Sequence, residues 1–280
     1  MSCLLTDPDL IRSAFPLALE MTPPSLPHSN YATPIPPIVW RTWKDNSWET
    51  ECASAHEWTK TVLPDWTHHI CDNTQCRAFI ATTFEPRILR AYDACNFGVM
   101  RADLWRYLVL YYHGGLYLDM KTGVRLRPYF HTTNGPVPRV YSSPWDAQLH
   151  GVYHAHLFRI GELQQFWIAA EPGSPALWHV VCQIVANIET LLAASDDKDA
   201  QFILLPKHDC MKSRVISTTG PIAYTFALAE AASKDPRTVL ICGHDCNQCI
   251  NYYPPNTADL TSIRSDHYSK CTKPLVFRTF

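Results

Sequence analysis

Charge is scarce in this chain of 280 residues, and so are long apolar runs. Charged residues make up 18%, and 24 Lys and Arg against 26 Asp and Glu give a net charge of −2. Binding to DNA or RNA needs a cluster of basic side chains against the phosphates, so we expect no nucleic-acid partner. With 46% hydrophobic residues, the composition is also far from that of disordered proteins, and a folded globular chain is predicted.

Membrane and export signals are also missing. The longest apolar stretches, residues 104–112 and 180–188, are interrupted by Arg106 and Gln183. Both are shorter than the roughly 20 residues of a membrane-spanning helix. Asp7 and Asp9 lie where a signal peptide carries basic residues and an apolar run. We therefore expect no transmembrane segment and a cytoplasmic location, or the Golgi lumen if the chain is a processed fragment.

Proline is frequent near the start of the chain, where the first 33 residues contain five prolines. Such a density prevents a long helix and predicts an irregular N-terminal arm over residues 1–34. The length that remains fits one large domain, residues 35–280.

From residue 35 onward, the pattern alternates between strand-like and helix-like segments. Short apolar runs at residues 38–40 and 66–70 predict strands, with a helix between them at residues 49–61. Further helices are predicted at residues 79–94, 99–112, 175–194 and 221–233, and further strands at 116–118 and 239–242. Alternation of this kind indicates an α/β fold, with helices flanking a central sheet and a mostly helical carboxyl half.

The residues of greatest chemical interest lie in residues 100–123. A predicted helix carries Asp103 and Arg106, and the strand that follows it ends at Asp119. Ligands of open α/β sheets bind beyond the carboxyl ends of strands, which is where Asp119 is expected. A carboxylate there can bind a hydroxyl or a divalent cation, and an Asp–Arg pair can bind sugar hydroxyls and a phosphate oxygen.

Each of these features also has an ordinary structural explanation. Asp103 and Arg106 can form an exposed ion pair worth well under about 1 kcal/mol, and Asp119 can close a turn. The Gly-Gly pair between helix and strand can be only a helix cap. Their occurrence together in one short stretch favours a functional site.

The same stretch resembles glycosyltransferase family 32, which includes fungal mannosyltransferases and capsular polysaccharide synthesis proteins. The resemblance is carried by Ala102-Asp103, Arg106-Tyr107, Gly114-Gly115 and Tyr117-Leu118-Asp119. Residues 35–44 are similar to the first strand of that family, and residues 171–175 and 219–221 to two of its later turns. The resemblance covers roughly residues 35–268 and implies a GT-A type fold with a Rossmann-like sheet.

What the resemblance implies is an enzyme that moves a hexose from a UDP- or GDP-linked donor to a glycan or other hydroxyl acceptor. Retention of the anomeric configuration is implied as well. Such a transfer has an oxocarbenium-like transition state and a diphosphate leaving group whose charge must be stabilised. By resemblance, the catalytic residues are Asp103, Arg106 and Asp119, and the substrate-binding residues are Trp43, Tyr107, Gly115, Tyr117, Lys121 and His267.

One position departs from the family pattern. Lys121 replaces the second carboxylate of the Asp-X-Asp motif, which binds Mn²⁺ or Mg²⁺ in similar enzymes. A protonated lysine cannot ligate such a cation. Either Asp119 still holds a divalent cation with His267 and the donor diphosphate, or the Lys121 ammonium supplies part of the charge compensation. The change also leaves open a degenerate protein that binds nucleotide sugars or glycans without turnover.

A weaker rival reading rests on the segment Cys242-X-His244-X-Cys246-X-X-Cys249. Four soft ligands would suit a cysteine-rich metal-binding interaction module, but the paired spacing of structural zinc sites is missing.

Overall fold

The computed structural model describes residues 15–27, 35–128, 130, 137–145, 162–194, 211–241, 249–251 and 275–276. The helices in these ranges are α1 (Trp48–Glu51), α2 (Ala53–Val62), α3 (Asn73–Thr83), α4 (Pro86–Ala94), α5 (Gly98–His113), α6 (Pro175–Ala194), α7 (Met211–Thr218) and α8 (Pro221–Lys234). The strands are β1 (Ile38–Thr42), β2 (Thr67–Cys71), β3 (Gly115–Leu118), β4 (Gly123–Val124), β5 (Val140–Ser142), β6 (Trp167–Ala170), β7 (Val239–Ile241) and β8 (Ile250–Asn251).

A six-stranded mixed sheet in the order β2-β1-β3-β6-β5-β7 forms the centre of the protein. β1 is parallel to both β2 and β3, whereas β6 is antiparallel to β3 and β5. The predicted α/β class is therefore confirmed. Since β1 and β3 run in the same direction, their carboxyl ends lie at one edge of the sheet, where Asp119 follows β3.

Two predicted helices are each divided into two. The predicted helix at residues 49–61 breaks at Cys52, which has an extended φ of −157°. The predicted helix at residues 79–94 is interrupted before Pro86, because a residue that precedes proline disfavours helical geometry and Glu85 is extended. α3 begins earlier than predicted, at a capping box in which the Asp72 side chain accepts from the Gln75 amide at 2.8 Å.

The carboxyl half contributes strands as well as helices. β5 and β6 were not predicted, because both are short and fully buried and so lack the alternation that marks a strand with one face in water.

Helices α5 and α6 form the core on one side of the sheet. One 19-residue stretch, Pro175–Ala193 in α6, is long and apolar enough to cross a membrane by length and composition. However, 61% of its 18-residue apolar segment is buried inside the protein. Packing against α5 and α8 accounts for its apolar composition. Residues 15–27 have no regular secondary structure and lie along this layer, with Phe15 stacked on Phe226 at 4.4 Å between ring centroids.

Candidate active site

A cluster of charged side chains lies where α5 passes the carboxyl end of β3. Nη2 of Arg106 is 2.9 Å from Oδ1 of Asp103 and 3.3 Å from Oδ1 of Asp119. The Asp103 and Arg106 side chains are 3% and 4% exposed, so an exposed ion pair is the wrong explanation for them. Asp119 is 31% exposed and is the accessible carboxylate of these three residues.

Arg106 is held by protein acceptors around its guanidinium. Nη1 donates to the backbone carbonyl of Gln165 at 2.8 Å, and the guanidinium lies over the Tyr117 ring at 4.6 Å. Burial lowers the pKa of Arg106, but nearby Tyr117, Asp119 and Asp103 outweigh burial and raise that pKa above its usual value. The residue is therefore a fixed positive charge that orients both carboxylates.

Asp103 lies beneath the accessible part of the cluster. Its Oδ2 accepts a hydrogen bond from the Thr219 hydroxyl at 2.7 Å. Burial raises the pKa of Asp103 to about 6, although Arg106 and Thr219 act to lower it. Thr219 belongs to the Thr-Gly-Pro segment between α7 and α8, so a segment recognised only by resemblance lies at the predicted site.

Asp119 begins a tight turn. Its amide donates to the carbonyl of Phe166 at 2.8 Å, and its carbonyl accepts from the Thr122 amide at 2.9 Å. Its Oδ1 accepts a hydrogen bond from the Tyr117 hydroxyl at 3.0 Å. Lys121 is half-buried in the same turn, which we call the motif turn, residues 119–122.

The structure brings two further predicted residues close to this cluster. Tyr107 follows Arg106 on α5, and its hydroxyl donates to the Thr219 carbonyl at 3.0 Å. Trp43 is partly buried and packs in a small group that contains Met120 of the motif turn. Its role in substrate binding stays a prediction.

Gly115 does not join the cluster. It begins β3, about 13 Å along the strand from Asp119 at roughly 3.3 Å per residue. Its φ is +101°, and a Cβ atom there would lie 2.6 Å from the carbonyl oxygen of Ile38. Glycine is thus required for the close approach of β3 to β1. His267, predicted to bind substrate or metal, lies outside the described residues.

The fit of a divalent cation rests on Asp119. Among the residues that the structure describes, no three His, Cys, Asp or Glu side chains group as a metal site. One oxygen of Asp119 already contacts Tyr117 and Arg106. The described residues therefore do not complete a cation site by themselves. Of the possible soft ligands near the carboxyl end, Cys242, His244 and Cys246 lie outside the described ranges.

Arg41 is a site residue that sequence reasoning missed. It is fully buried in β1, and Nη1 donates to the Asp119 carbonyl at 2.7 Å. Nη2 donates to the Thr122 carbonyl, also at 2.7 Å. A signal was available, because an arginine inside an otherwise apolar strand needs buried acceptors.

Comparison with known proteins places the same stretch in context. Residues 49–132 match the family model described as "Glycosyltransferase sugar-binding region containing DXD motif". The matched segment contains Asp103, Arg106, Asp119 and Lys121.

Two relatives from Schizosaccharomyces pombe are similar to parts of the chain. Inositol phosphoceramide mannosyltransferase 3 is 35% identical over 106 residues, which cover 37% of this chain and 30% of that relative. The initiation-specific alpha-1,6-mannosyltransferase is 30% identical over 166 residues, which cover 55% and 40%. The chain thus spans less than half the length of either relative. The solved PaToxG glycosyltransferase is 17% identical with a TM-score of 0.41, over 72% of each chain.

Proposed function

We propose that this chain transfers a hexose from a nucleotide diphosphate sugar to a hydroxyl acceptor, because residues 49–132 match the family model of glycosyltransferase sugar-binding regions containing a DXD motif. One observation carries the proposal. Asp103, Arg106 and Asp119 share one cluster of ion pairs at the end of β3, with Asp119 accessible. In open α/β sheets, that edge is the usual place for a nucleotide ligand.

In the proposed site, Asp119 binds the donor. Its carboxylate accepts hydrogen bonds from ribose or sugar hydroxyls, because an ionised carboxylate has only acceptors. Asp103 and Arg106 are nearly inaccessible in this structure, and their contacts with Asp119 and Thr219 support a positioning role. A carboxylate held in one direction binds without having to reorganise when charge develops in the transition state.

Departure of the nucleotide diphosphate requires positive charge close to the motif turn. A divalent cation, when bound, would neutralise the diphosphate, but no group of three His, Cys, Asp or Glu side chains occurs among the described residues to hold it. We therefore assign part of the charge compensation to the Lys121 ammonium, which follows Asp119 by two residues. Retention of the anomeric configuration is part of the proposal, supported by the family resemblance.

The donor and acceptor are also proposed from the comparisons. Both S. pombe relatives are named mannosyltransferases, so a nucleotide diphosphate mannose is the first donor to test. A glycan or another molecule with a free hydroxyl is the expected acceptor.

The test is to incubate the pure protein with a panel of UDP- and GDP-hexoses, in Mn²⁺ and in EDTA, and to measure released nucleotide diphosphate. We expect release from one donor, increased by acceptor, and a product whose anomeric configuration NMR can assign. Donor binding without release would favour the alternative, a protein that binds nucleotide sugars without turnover because Lys121 replaces the motif carboxylate. If the protein neither binds nor cleaves any of these donors, the proposed function is contradicted.

A further inference from the structure

Arg41 is a buried cation that donates hydrogen bonds to backbone carbonyls and a hydroxyl. Its side chain is fully buried near the carboxyl end of β1. Among the described residues, its acceptors are backbone carbonyls and one hydroxyl. Burying a charge is costly unless its hydrogen bonds are satisfied. A sequence places a charged residue in a buried strand most often where that residue helps to form a functional site.

One side of the Arg41 guanidinium binds both ends of the motif turn. Nη1 reaches the carbonyl of Asp119 and Nη2 reaches that of Thr122, each at 2.7 Å. The Asp119 carbonyl also accepts the turn's own hydrogen bond, from the Thr122 amide at 2.9 Å. The two ends of the turn are therefore held to one rigid, planar group.

The other side of the guanidinium is anchored on α2. Nη2 donates to the Thr59 hydroxyl at 2.9 Å and lies 3.4 Å from the carbonyl of Ala55. The Thr59 oxygen in turn accepts from the Val124 amide at 3.3 Å, just beyond the turn. Arg41 thus joins helix α2, strand β1 and the motif turn. Burial lowers the pKa of Arg41 to about 10, which leaves it charged at neutral pH.

We propose that Arg41 is a positioning residue that fixes the motif turn and thereby the direction of the Asp119 carboxylate. It acts through the backbone of the turn and does not contact the donor. The functional part of this inference rests on the proposed role of Asp119 in donor binding, whereas the hold on the turn does not. Lysine cannot replace it, because one ammonium lacks the planar fork that reaches two carbonyls and a hydroxyl together.

The first test measures amide hydrogen exchange in the free protein and needs no donor. In Arg41→Lys, we expect the Thr122 amide to exchange at least about tenfold faster, because the turn opens more often. Amides in the middle of α5 should keep their wild-type rates. The matched control is Val39→Ala, a buried position two residues earlier on the same face of β1, which should lower stability without selectively exposing the turn. Unchanged exchange at Thr122 in folded Arg41→Lys would overturn the proposal.

If Arg41→Lys does not fold, Thr59→Val takes its place. That variant keeps the charge and the volume but removes the hydroxyl acceptor on α2. Faster exchange at the Thr122 amide is again the expected result, together with the Val124 amide that loses its Thr59 acceptor, while amides in the middle of α5 keep wild-type rates. Wild-type exchange at Thr122 would contradict the hold of Arg41 on the turn.

The second test asks whether Arg41 acts through Asp119. Affinity for the nucleotide diphosphate is measured by calorimetry in wild type, Arg41→Lys, Asp119→Ala and the double variant. We expect Arg41→Lys to weaken binding about tenfold in the wild type and hardly at all once Asp119 is alanine, since residues in one network are not additive. Equal losses in both backgrounds would overturn the positioning role. Wild-type affinity in Asp119→Ala would instead contradict the proposed function, while the exchange experiment would still decide the hold on the turn.

Discussion

Two kinds of arginine–carboxylate contact occur in this protein, and they differ in more than geometry. Arg77 binds Asp93 through two hydrogen bonds of 2.8 and 2.7 Å, and Arg87 binds Glu189 through two of 2.7 Å. Both of these pairs join helices at the surface, with the arginines 53% and 37% exposed. Arg106, in contrast, is buried and is shared between two carboxylates, one of which remains accessible.

The difference shows that well-formed pairing does not by itself identify a site. An exposed pair typically contributes about 0.2 to 1 kcal/mol and is screened by salt. A buried arginine between two carboxylates fixes their direction and keeps its charge where water is excluded. The candidate site is therefore marked by burial and sharing, and the surface pairs serve as matched controls.

The largest expected effect comes from Asp119→Ala. Transfer should fall to background, because this variant removes the accessible carboxylate of the cluster. The free energy of unfolding should change little, since the side chain is partly exposed and is not part of the core. Release of nucleotide diphosphate and thermal unfolding measure the two quantities. Asp93→Ala is the control, and equal turnover in the two variants would remove Asp119 from the site.

The next largest effect is expected from the two buried partners. Asp103→Asn and Arg106→Lys should each lower kcat/KM at least about tenfold, which corresponds to ~1.4 kcal/mol of transition-state stabilisation. Arg77→Lys makes the same chemical change in a surface pair and should leave kcat/KM unchanged. If Arg106→Lys and Arg77→Lys gave the same activity, the distinction between the two kinds of pair would be wrong.

A smaller effect is expected from Lys121. If its ammonium compensates part of the diphosphate charge, EDTA-treated wild type should keep measurable activity and Lys121→Ala should lose much of it. Lys121→Asp restores the usual motif and should make activity more dependent on Mn²⁺. Titration of Mn²⁺ into EDTA-treated protein measures both. Complete loss of wild-type activity without metal, together with wild-type behaviour of Lys121→Ala, would assign that charge to a cation instead.

The pH dependence of stability gives a further, smaller test of the buried cluster. The pKa of Asp103 is 3.8 in its unperturbed form and about 6 in the folded protein. The folded protein therefore binds the proton of the Asp103 carboxyl more tightly than the unfolded chain does. The contribution of this proton to the free energy of unfolding is fully present below pH 4 and is lost as pH rises through about 6. Between these values, the unfolding free energy of wild type should fall relative to that of Asp103→Asn. Parallel curves for the two proteins would contradict the burial of an ionisable Asp103.

Much of the architecture was predictable, because the local patterns agree with the final fold. α5 and β3 follow from their spacing and from the Gly-Gly pair that separates them, and Asp119 from its place after the strand. The family motif then brought Asp103 and Arg106 together with Asp119. The prediction that this short stretch forms one cluster needed only local sequence.

What escaped prediction depends on contacts between distant segments. Arg41 contacts the motif turn about 80 residues later, and nothing in the local pattern of β1 specifies which carbonyls will meet it. Gly115 was predicted to bind substrate, yet glycine is required there because the backbone of Ile38 on a neighbouring strand leaves no room for a Cβ atom. The burial of Asp103 and Arg106 could not be predicted locally either, because their partners Thr219 and Gln165 lie far along the chain.

A crystal structure with bound nucleotide diphosphate tests the central claim most directly. The account predicts that the nucleotide lies beyond the carboxyl ends of β1 and β3, with a ribose hydroxyl or phosphate contact at the motif turn and Asp119 within hydrogen-bond distance of the ligand. A nucleotide bound at the opposite edge, where α5 ends and β3 begins, with Asp119 untouched, would contradict it.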